Sequence, residues 1–293
     1  MHTLYAYVQN SFDNIQNAEK YLFDSLDSTY NLYLQINYVT SAVLQYSAKE
    51  VEVSKQRYLN DEVPVTDQWL GYDYLKLMEE VDFAKIFKKA KLEYLIEEDL
   101  IRELYKTFKS SEQFEKILKA AGENKEDQTF AIQYLLADII MNNEEFDLLM
   151  EDRWINWQDE KEFVLNATLK TIKFCDFEKK VGLFAQEYKG WEEDVQFMKK
   201  VLKYAFYEEH DLNREIETLT KNWVLERITL IDRMIIHTAL SEMHSCNEVP
   251  LRVSLNEYIE LSKLYSTPKS KDFVNGVLDK AVHKLIENGE RSI

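Results

Sequence analysis

Apolar residues recur at intervals of three and four along most of this 293-residue chain. That spacing places them on one face of an α-helix. The pattern predicts helices over the segments 1–10, 18–55, 69–89, 91–108, 126–141, 143–151, 160–174, 192–219 and 225–244. The clearest break is 60–67, where turn-forming residues surround Pro64. With only 6 Gly and 3 Pro, the chain lacks the many turns of an all-β fold. The sequence therefore predicts an all-α protein.

The segment from Val249 to Lys280 predicts two further helices joined by a tight turn. Ser254 and Glu257 have the spacing of a capping box, which would start the first helix. Thr267-Pro268 predicts the start of the second, with Pro at the first helical position. A polar turn over 269–271 would then lead into Phe273. Glycine weakens a helix interior, so Gly276 predicts a close approach of two helices.

Two motifs in this region resemble the NusB family of bacterial transcription antitermination factors. One is VPLRVSLNEYIELSK followed by DFVNGVLDK, and the other is Asn222-Trp223 followed by ERITLIDRMIIHTALSEM. They occur in the family's order and at short spacing. The resemblance implies a NusB-like antiparallel helical bundle formed by residues 1–12 and 188–293. Residues 13–187 would then be a helical insertion, which chains tolerate because loop-closure entropy grows slowly with length.

The formal net charge of −17 limits any nucleic-acid function, because phosphate contacts come from Lys and Arg. Most of the acidic excess lies in residues 1–187, so the predicted insertion is acidic. Residues 251–284 carry more basic than acidic side chains. A modest RNA-facing patch is therefore expected there, and DNA binding is not.

The sequence shows no pattern of catalytic or metal-binding residues. It lacks a His-Glu-x-x-His motif, a P-loop and a glycine-rich dinucleotide turn, and its five histidines are scattered. Cys175 and Cys246 lie far apart without metal-ligand spacing. No apolar run approaches the 18 residues of a membrane span, and the N-terminus does not resemble a signal peptide. We expect a cytoplasmic protein that is not an enzyme and has no metal or cofactor.

The resemblance implies which residues bind RNA. The family's RNA surface lies around the turn before FVNG, and the Phe that matches Phe273 contacts RNA there. Lys269, Ser270 and Lys271 would lie beside it, with the lysines meeting phosphate while a base stacks on the ring. The alternative for Phe273 is that it packs the turn against the core.

The resemblance also implies a protein partner, the small-subunit ribosomal protein NusE. An acidic residue matching Asp232 belongs to the family's NusE surface, and Arg233 and Tyr5 are assigned to the same surface. Asp232 and Arg233 are predicted to lie on the exposed face of a helix whose buried stripe contains Trp223, Ile235 and similar residues. The alternative for Asp232 is an ordinary exposed charge.

The implied function is to bind a boxA-like single-stranded RNA together with NusE, in a complex that modifies RNA polymerase elongation. The family's arginine-rich arm is absent, since only Met1 and His2 precede Thr3-Leu4-Tyr5, which matches the start of the family's first helix. Either the chain starts late or its RNA affinity is low. An alternative is a helical adaptor that binds a partner through the acidic insertion with little RNA affinity. A NusB-like module of an RNA methyltransferase is disfavoured, because no glycine-rich cofactor-binding domain follows.

Overall fold

The computed structural model describes residues 1–10, 14–57, 72–80, 83–90, 92, 96–120, 124–175, 191–220 and 227–291. Within these ranges the chain forms helices and no β-strand, which confirms the all-α prediction. The predicted break at 60–67, Trp223 and both boundaries of the predicted insertion lie outside the described residues.

The described ranges contain the following helices. They are α1 (His2–Asn10), α2 (Ile15–Arg57), α3 (Asp73–Glu80), α4 (Phe83–Ala90), α5 (Glu98–Ser110), α6 (Phe114–Ala120), α7 (Lys125–Tyr134), α8 (Glu144–Arg153), α9 (Trp157–Phe174), α10 (Trp191–Tyr207), α11 (Glu209–Leu219), α12 (Leu230–Ser245), α13 (Leu251–Tyr265) and α14 (Pro268–Glu287). A π-helical segment, Leu135–Ile140, continues α7. The pattern predicted over 192–219 is thus two helices, separated at Glu208.

The chain divides into two compact units. Unit 1 comprises Met1–Ser25 and Glu187–Ile293, and unit 2 comprises Leu26–Gln186. The first division falls inside α2, after Ser25, whereas the resemblance implied a boundary after residue 12. The two segments of unit 1 are distant in sequence but belong to one compact body.

Helix α12 lies at the centre of unit 1. Helices α1, α10, α11, α13 and α14 all contact it. A hydrophobic core is formed by residues of the four helices α11, α12, α13 and α14. It includes Ile216, Ile236, Leu240, Tyr258, Val277 and Leu278. A second cluster places Leu4 of α1 against Leu202 and Ala205 of α10 and Met234 of α12. The N-terminal helix therefore packs on the C-terminal helices of the same unit.

The prediction that one face of α12 is exposed is wrong. Ile235 and Leu240 are buried as predicted, but every residue from Met234 to Met243 is buried as well, because neighbouring helices pack on all sides. Buried polar groups need hydrogen-bond partners. Glu242 has two, since it accepts from the Ser254 hydroxyl at 2.6 Å and from the Tyr258 hydroxyl at 2.8 Å.

Two details predicted for the last helices are also wrong. Helix α13 begins at Leu251, after Pro250, so Ser254 lies inside the helix and forms no capping box with Glu257. A Cβ placed on Gly276 would meet no atom within 4 Å, so no close helix approach explains this glycine. By contrast, Thr267 caps α14 and Pro268 occupies its first turn, as the sequence predicted.

Unit 2 is built around the second part of α2. Apolar residues on several sides of α2 are buried, including Leu32, Leu34, Ile36 and Leu44, and they share one core with residues of α3 to α9. At the α8–α9 junction, Trp157 is fully buried and its indole N–H donates to Asp147 at 2.7 Å. The acidic insertion thus has a hydrophobic core of its own.

Candidate functional site

The residues predicted to bind RNA lie at the start of α14. Ser266 and Thr267 form the whole connection between α13 and α14. The Thr267 hydroxyl accepts a hydrogen bond from the Ser270 backbone N–H at 3.2 Å, and this fixes the first turn of the helix. The predicted polar turn over 269–271 is therefore the first turn of α14 itself.

The start of α14 combines cationic side chains with the positive end of a helix. Lys269 is exposed and Lys271 is half-buried, and the first turn contains no acidic residue. Pro268 has no N–H and the Ser270 N–H is bonded to Thr267, but the helix dipole is positive at this end. Lysine charge and helix polarity therefore both favour an anion such as phosphate.

The burial of Phe273 is compatible with both predicted roles, RNA contact and packing against the core. It is half-buried and packs against the core cluster of unit 1, one residue before the fully buried Val274. The side chain therefore contributes to core packing without being fully buried. Lys269 and Lys271 precede it in the sequence by four and two residues.

Asp232 does not lie on an exposed surface. Its side chain is only 3% exposed, so the predicted exposure is wrong. Its carboxylate accepts from the Thr229 hydroxyl at 2.7 Å, and its backbone N–H donates to the same hydroxyl at 3.3 Å. The Ser266 hydroxyl donates to the other carboxylate oxygen. Asp232 therefore ties the start of α12 to the α13–α14 connection, directly beside the predicted RNA-binding turn.

Arg233 faces a small cavity between α1, α10, α11 and α12. The cavity has a volume of about 10 Å³, the room that one water molecule needs, and Tyr7 and His237 also line it. Nε of Arg233 is buried without a hydrogen-bond partner within the described part of the chain. Burial and the Arg233 charge lower the pKa of His237 to about 4, so this histidine is neutral at pH 7.

Tyr5 lies on α1 and is 38% exposed. Its neighbours Leu4 and Val8 face the α1 packing interface, so Tyr5 is the accessible member of the Thr3-Leu4-Tyr5 tripeptide. Tyr5 and Arg233 belong to adjacent helices, whereas Asp232 is held at the α13–α14 connection.

The sequence interpretation missed a second aromatic residue beside the predicted RNA-binding turn. Tyr265, the last residue of α13, is 37% exposed and its ring meets the His2 ring edge-on, with centroids 5.1 Å apart. Leu264, which precedes it, is 76% exposed. The sequence shows an apolar pair, Leu264-Tyr265, shortly before the Thr267-Pro268 helix start. That the pair is exposed is seen only in the structure.

Two further expectations from the sequence concern a metal site and a membrane span. Among them, no three His, Cys, Asp or Glu side chains are grouped to hold a metal ion. Cys175 and Cys246 are both buried. None of the helices in the described ranges is long and apolar enough to cross a membrane.

Comparison with known proteins identifies the same region as the sequence motifs did. The NusB family model matches residues 165–283, which include the end of α9 and nearly all of α10 to α14. No solved structure matches the chain.

Three similar relatives each carry the name transcription antitermination protein NusB. The chain is 37% identical to the protein of Chloroherpeton thalassium over 93 residues, 32% of this chain and 44% of the relative. It is 33% identical to that of Acetivibrio thermocellus over 105 residues, 36% of this chain and 72% of the relative. It is 36% identical to that of Clostridium botulinum strain Kyoto over 89 residues, 30% of this chain and 62% of the relative.

These matches differ in how much of each relative they include. The chain spans less than two thirds of the length of the first and third relatives. It spans 72% of the second at 33% identity. On that similarity, the chain belongs to the NusB family.

Proposed function

We propose that this protein is a transcription antitermination factor. It binds a boxA-like, single-stranded RNA in nascent transcripts together with ribosomal protein NusE, as part of an RNA polymerase antitermination complex in the cytoplasm. It acts by binding and not by catalysis. Family membership and the names of the relatives support this proposal.

The start of α14 is the single observation that carries the RNA part of the proposal. Lys269 and Lys271 lie on a helix N-terminus whose first turn contains no acidic residue, and the half-buried Phe273 follows. Proteins bind single-stranded RNA with such a combination of lysines and an aromatic ring, because bases stack on the ring while the cations contact phosphates. Ser270 holds the turn in place through its bond to Thr267.

The partner surface is assigned to the α1 side of unit 1. Tyr5 is accessible there, and next to α1 the buried Nε of Arg233 has no hydrogen-bond partner among the described residues. Asp232 acts indirectly in this proposal, because it is buried and bonded to Thr229 and Ser266. We therefore assign Asp232 a positioning role, in which it holds the α13–α14 connection for both ligands.

A binding titration tests the proposal. Fluorescently labelled boxA-like RNA is titrated with the full chain, with and without NusE, at two salt concentrations. The expected result is tighter binding than to an RNA of the same composition in scrambled order, and a further increase in affinity when NusE is present. Binding that ignores the order of bases and does not respond to NusE would contradict it.

A helical adaptor remains the second candidate, and the acidic charge of residues 1–187 favours it. It predicts a different outcome in the same experiment. NusE would bind the chain by itself, while the RNA would show no saturable binding at either salt concentration. The two functions are therefore separated by the RNA arm of the titration.

A further inference from the structure

Helix α8 of unit 2 carries an apolar side chain directed away from the core. Phe146 and Met150 of this helix are fully buried, whereas Leu148, between them, is 66% exposed. At about 100° per residue, Leu148 lies about 200° around the helix from Phe146. Packing of unit 2 therefore does not account for leucine at this position.

The same face of α8 is acidic. Glu144, Glu145, Glu151 and Asp152 are all exposed, and their spacing of three and four residues from Leu148 puts them around it. We call these five residues the α8 outer face. Among the described residues, none of the four carboxylates forms an ion pair with a cation. Glu151 accepts only from the Gln158 amide.

The surroundings of the α8 outer face add apolar surface and little positive charge. Ile155, in the turn that follows α8, is fully exposed. Arg153 is the one basic residue of α8, and it lies about 140° around the helix from Leu148. Lys161 of α9 forms an ion pair with Asp147, with 2.6 Å between Nζ and Oδ1.

We propose that the α8 outer face is a docking surface for a basic, amphipathic helix of a partner protein. The apolar side of such a helix covers Leu148 and Ile155, and its Lys and Arg side chains meet the four carboxylates. This inference concerns the insertion and does not depend on the proposed RNA-binding function.

Charge argues against the other occupants. RNA would bring phosphates against the carboxylates of the α8 outer face, with which no cation of the described residues pairs. A second copy of this chain, related by a two-fold axis, would place the same acidic face against itself. Like charges brought together in this way oppose association, whereas a basic helix matches the face in both charge and shape.

The test uses the full chain and a designed probe peptide. The probe is a labelled helix of about 18 residues with Leu along one side and Lys along the other, and its control has the same composition in scrambled order. Fluorescence anisotropy should show the patterned peptide binding at least about tenfold more tightly than the scrambled one, because only the patterned peptide can cover the apolar residues while pairing its charges.

Matched variants locate the binding site. Leu148→Ser and, separately, Ile155→Ser should weaken binding of the patterned peptide by about tenfold each. Phe130→Ser, which changes an exposed apolar residue on α7, should leave it unchanged. Glu144→Lys combined with Glu151→Lys should weaken binding and flatten its salt dependence. Glu112→Lys combined with Glu115→Lys, at two exposed acidic residues in unit 2, is the matched charge control.

Three results would overturn the proposal. Equal binding of the patterned and scrambled peptides would mean non-specific ionic attraction. Equal effects of the α8 variants and their controls would place the binding elsewhere. In sedimentation experiments, a wild-type dimer that Leu148→Ser or Ile155→Ser converts to a monomer would assign the face to self-association. The substituted side chains are exposed, so circular dichroism should show each variant folded.

Discussion

Ser266 donates a hydrogen bond to the carboxylate of Asp232, 34 residues earlier in the chain. This contact joins the first turn of α12 to the connection between α13 and α14. The same carboxylate accepts from Thr229, so one buried acidic side chain organises two helix starts. The residue that the family resemblance assigns to a partner surface is thus a structural neighbour of the predicted RNA-binding turn.

Replacing Asp232 should therefore destabilise the protein. Asp232→Ala removes the partner of Thr229 in the helix cap and leaves the Ser266 hydroxyl without its acceptor. Together these losses should cost about 1–3 kcal/mol of unfolding free energy, measured by urea denaturation. Asp272→Ala, at an exposed residue of α14, is the control and should change stability by less than about 0.5 kcal/mol. Equal stability of the two variants would contradict the assignment of Asp232 as a positioning residue.

Phe273 should matter more for RNA affinity than for folding. Phe273→Ala should weaken boxA-like RNA binding by about 1–3 kcal/mol if a base stacks on the ring. It should destabilise the fold by less than the roughly 3–5 kcal/mol of a fully buried Phe, since this ring is half-buried. Phe273→Leu keeps the packing but removes the aromatic face, so it should be stable and still bind RNA weakly. If Phe273→Leu binds RNA as the wild type does, the ring has only a packing role.

Lys269 and Lys271 should account for part of the salt dependence of RNA binding. Each phosphate contact on a single strand contributes about 0.7 to the slope of log K against log salt concentration. Lys269→Gln and Lys271→Gln should each reduce the slope by about that amount. Lys106→Gln, in unit 2 and paired with Glu103, should leave it unchanged. A slope that stays the same in all three variants would place the RNA site away from α14.

The helical class and the start of α14 were predictable from sequence because they depend on local signals. Periodicity predicts helices, and Thr267-Pro268 fixes a helix start through its own hydroxyl and ring. The α10–α11 division at Glu208 was missed, since neither Gly nor Pro marks it. The burial of the other faces of α12 was missed as well, because it depends on five helices that pack around α12.

The candidate site was predicted only in part, for the same reason. Lys269, Ser270, Lys271 and Phe273 are neighbours in sequence, so a motif finds them together. The Asp232–Ser266 and His2–Tyr265 contacts join residues that are far apart in the chain. No local pattern predicts such contacts. Ser254 shows the converse error, since its spacing to Glu257 fits a capping box while its hydroxyl in fact satisfies the buried Glu242.

His237 should make the protein sensitive to mild acid. Burial and Arg233 lower its pKa to about 4, against about 6.5 in the unfolded chain. The backbone carbonyl of Glu209 in α11 accepts a hydrogen bond from His237. This raises the pKa of His237 and opposes the lowering only in part. Because the unfolded state binds the proton more readily, the stability from this group is present above pH 6.5 and is lost as the pH falls towards 4.

The pH dependence can be measured against a variant that does not titrate. Between pH 7 and pH 4, the wild type should lose about 3 kcal/mol more unfolding free energy than His237→Gln. Other carboxylates titrate in both proteins, so the difference between the two curves reports on His237. Parallel curves would mean that His237 keeps an ordinary pKa in the folded protein.

Transcriptional readthrough tests the central claim most directly. A template with a boxA-like sequence ahead of a terminator is transcribed in a bacterial extract depleted of its own NusB, and full-length RNA is measured after adding this protein. The account predicts that the wild type raises readthrough, that the Lys269→Gln and Lys271→Gln double variant raises it less, and that deleting the boxA-like sequence abolishes the effect. Readthrough that is unchanged by the wild type, or raised equally without the boxA-like sequence, would contradict a role in boxA-dependent antitermination.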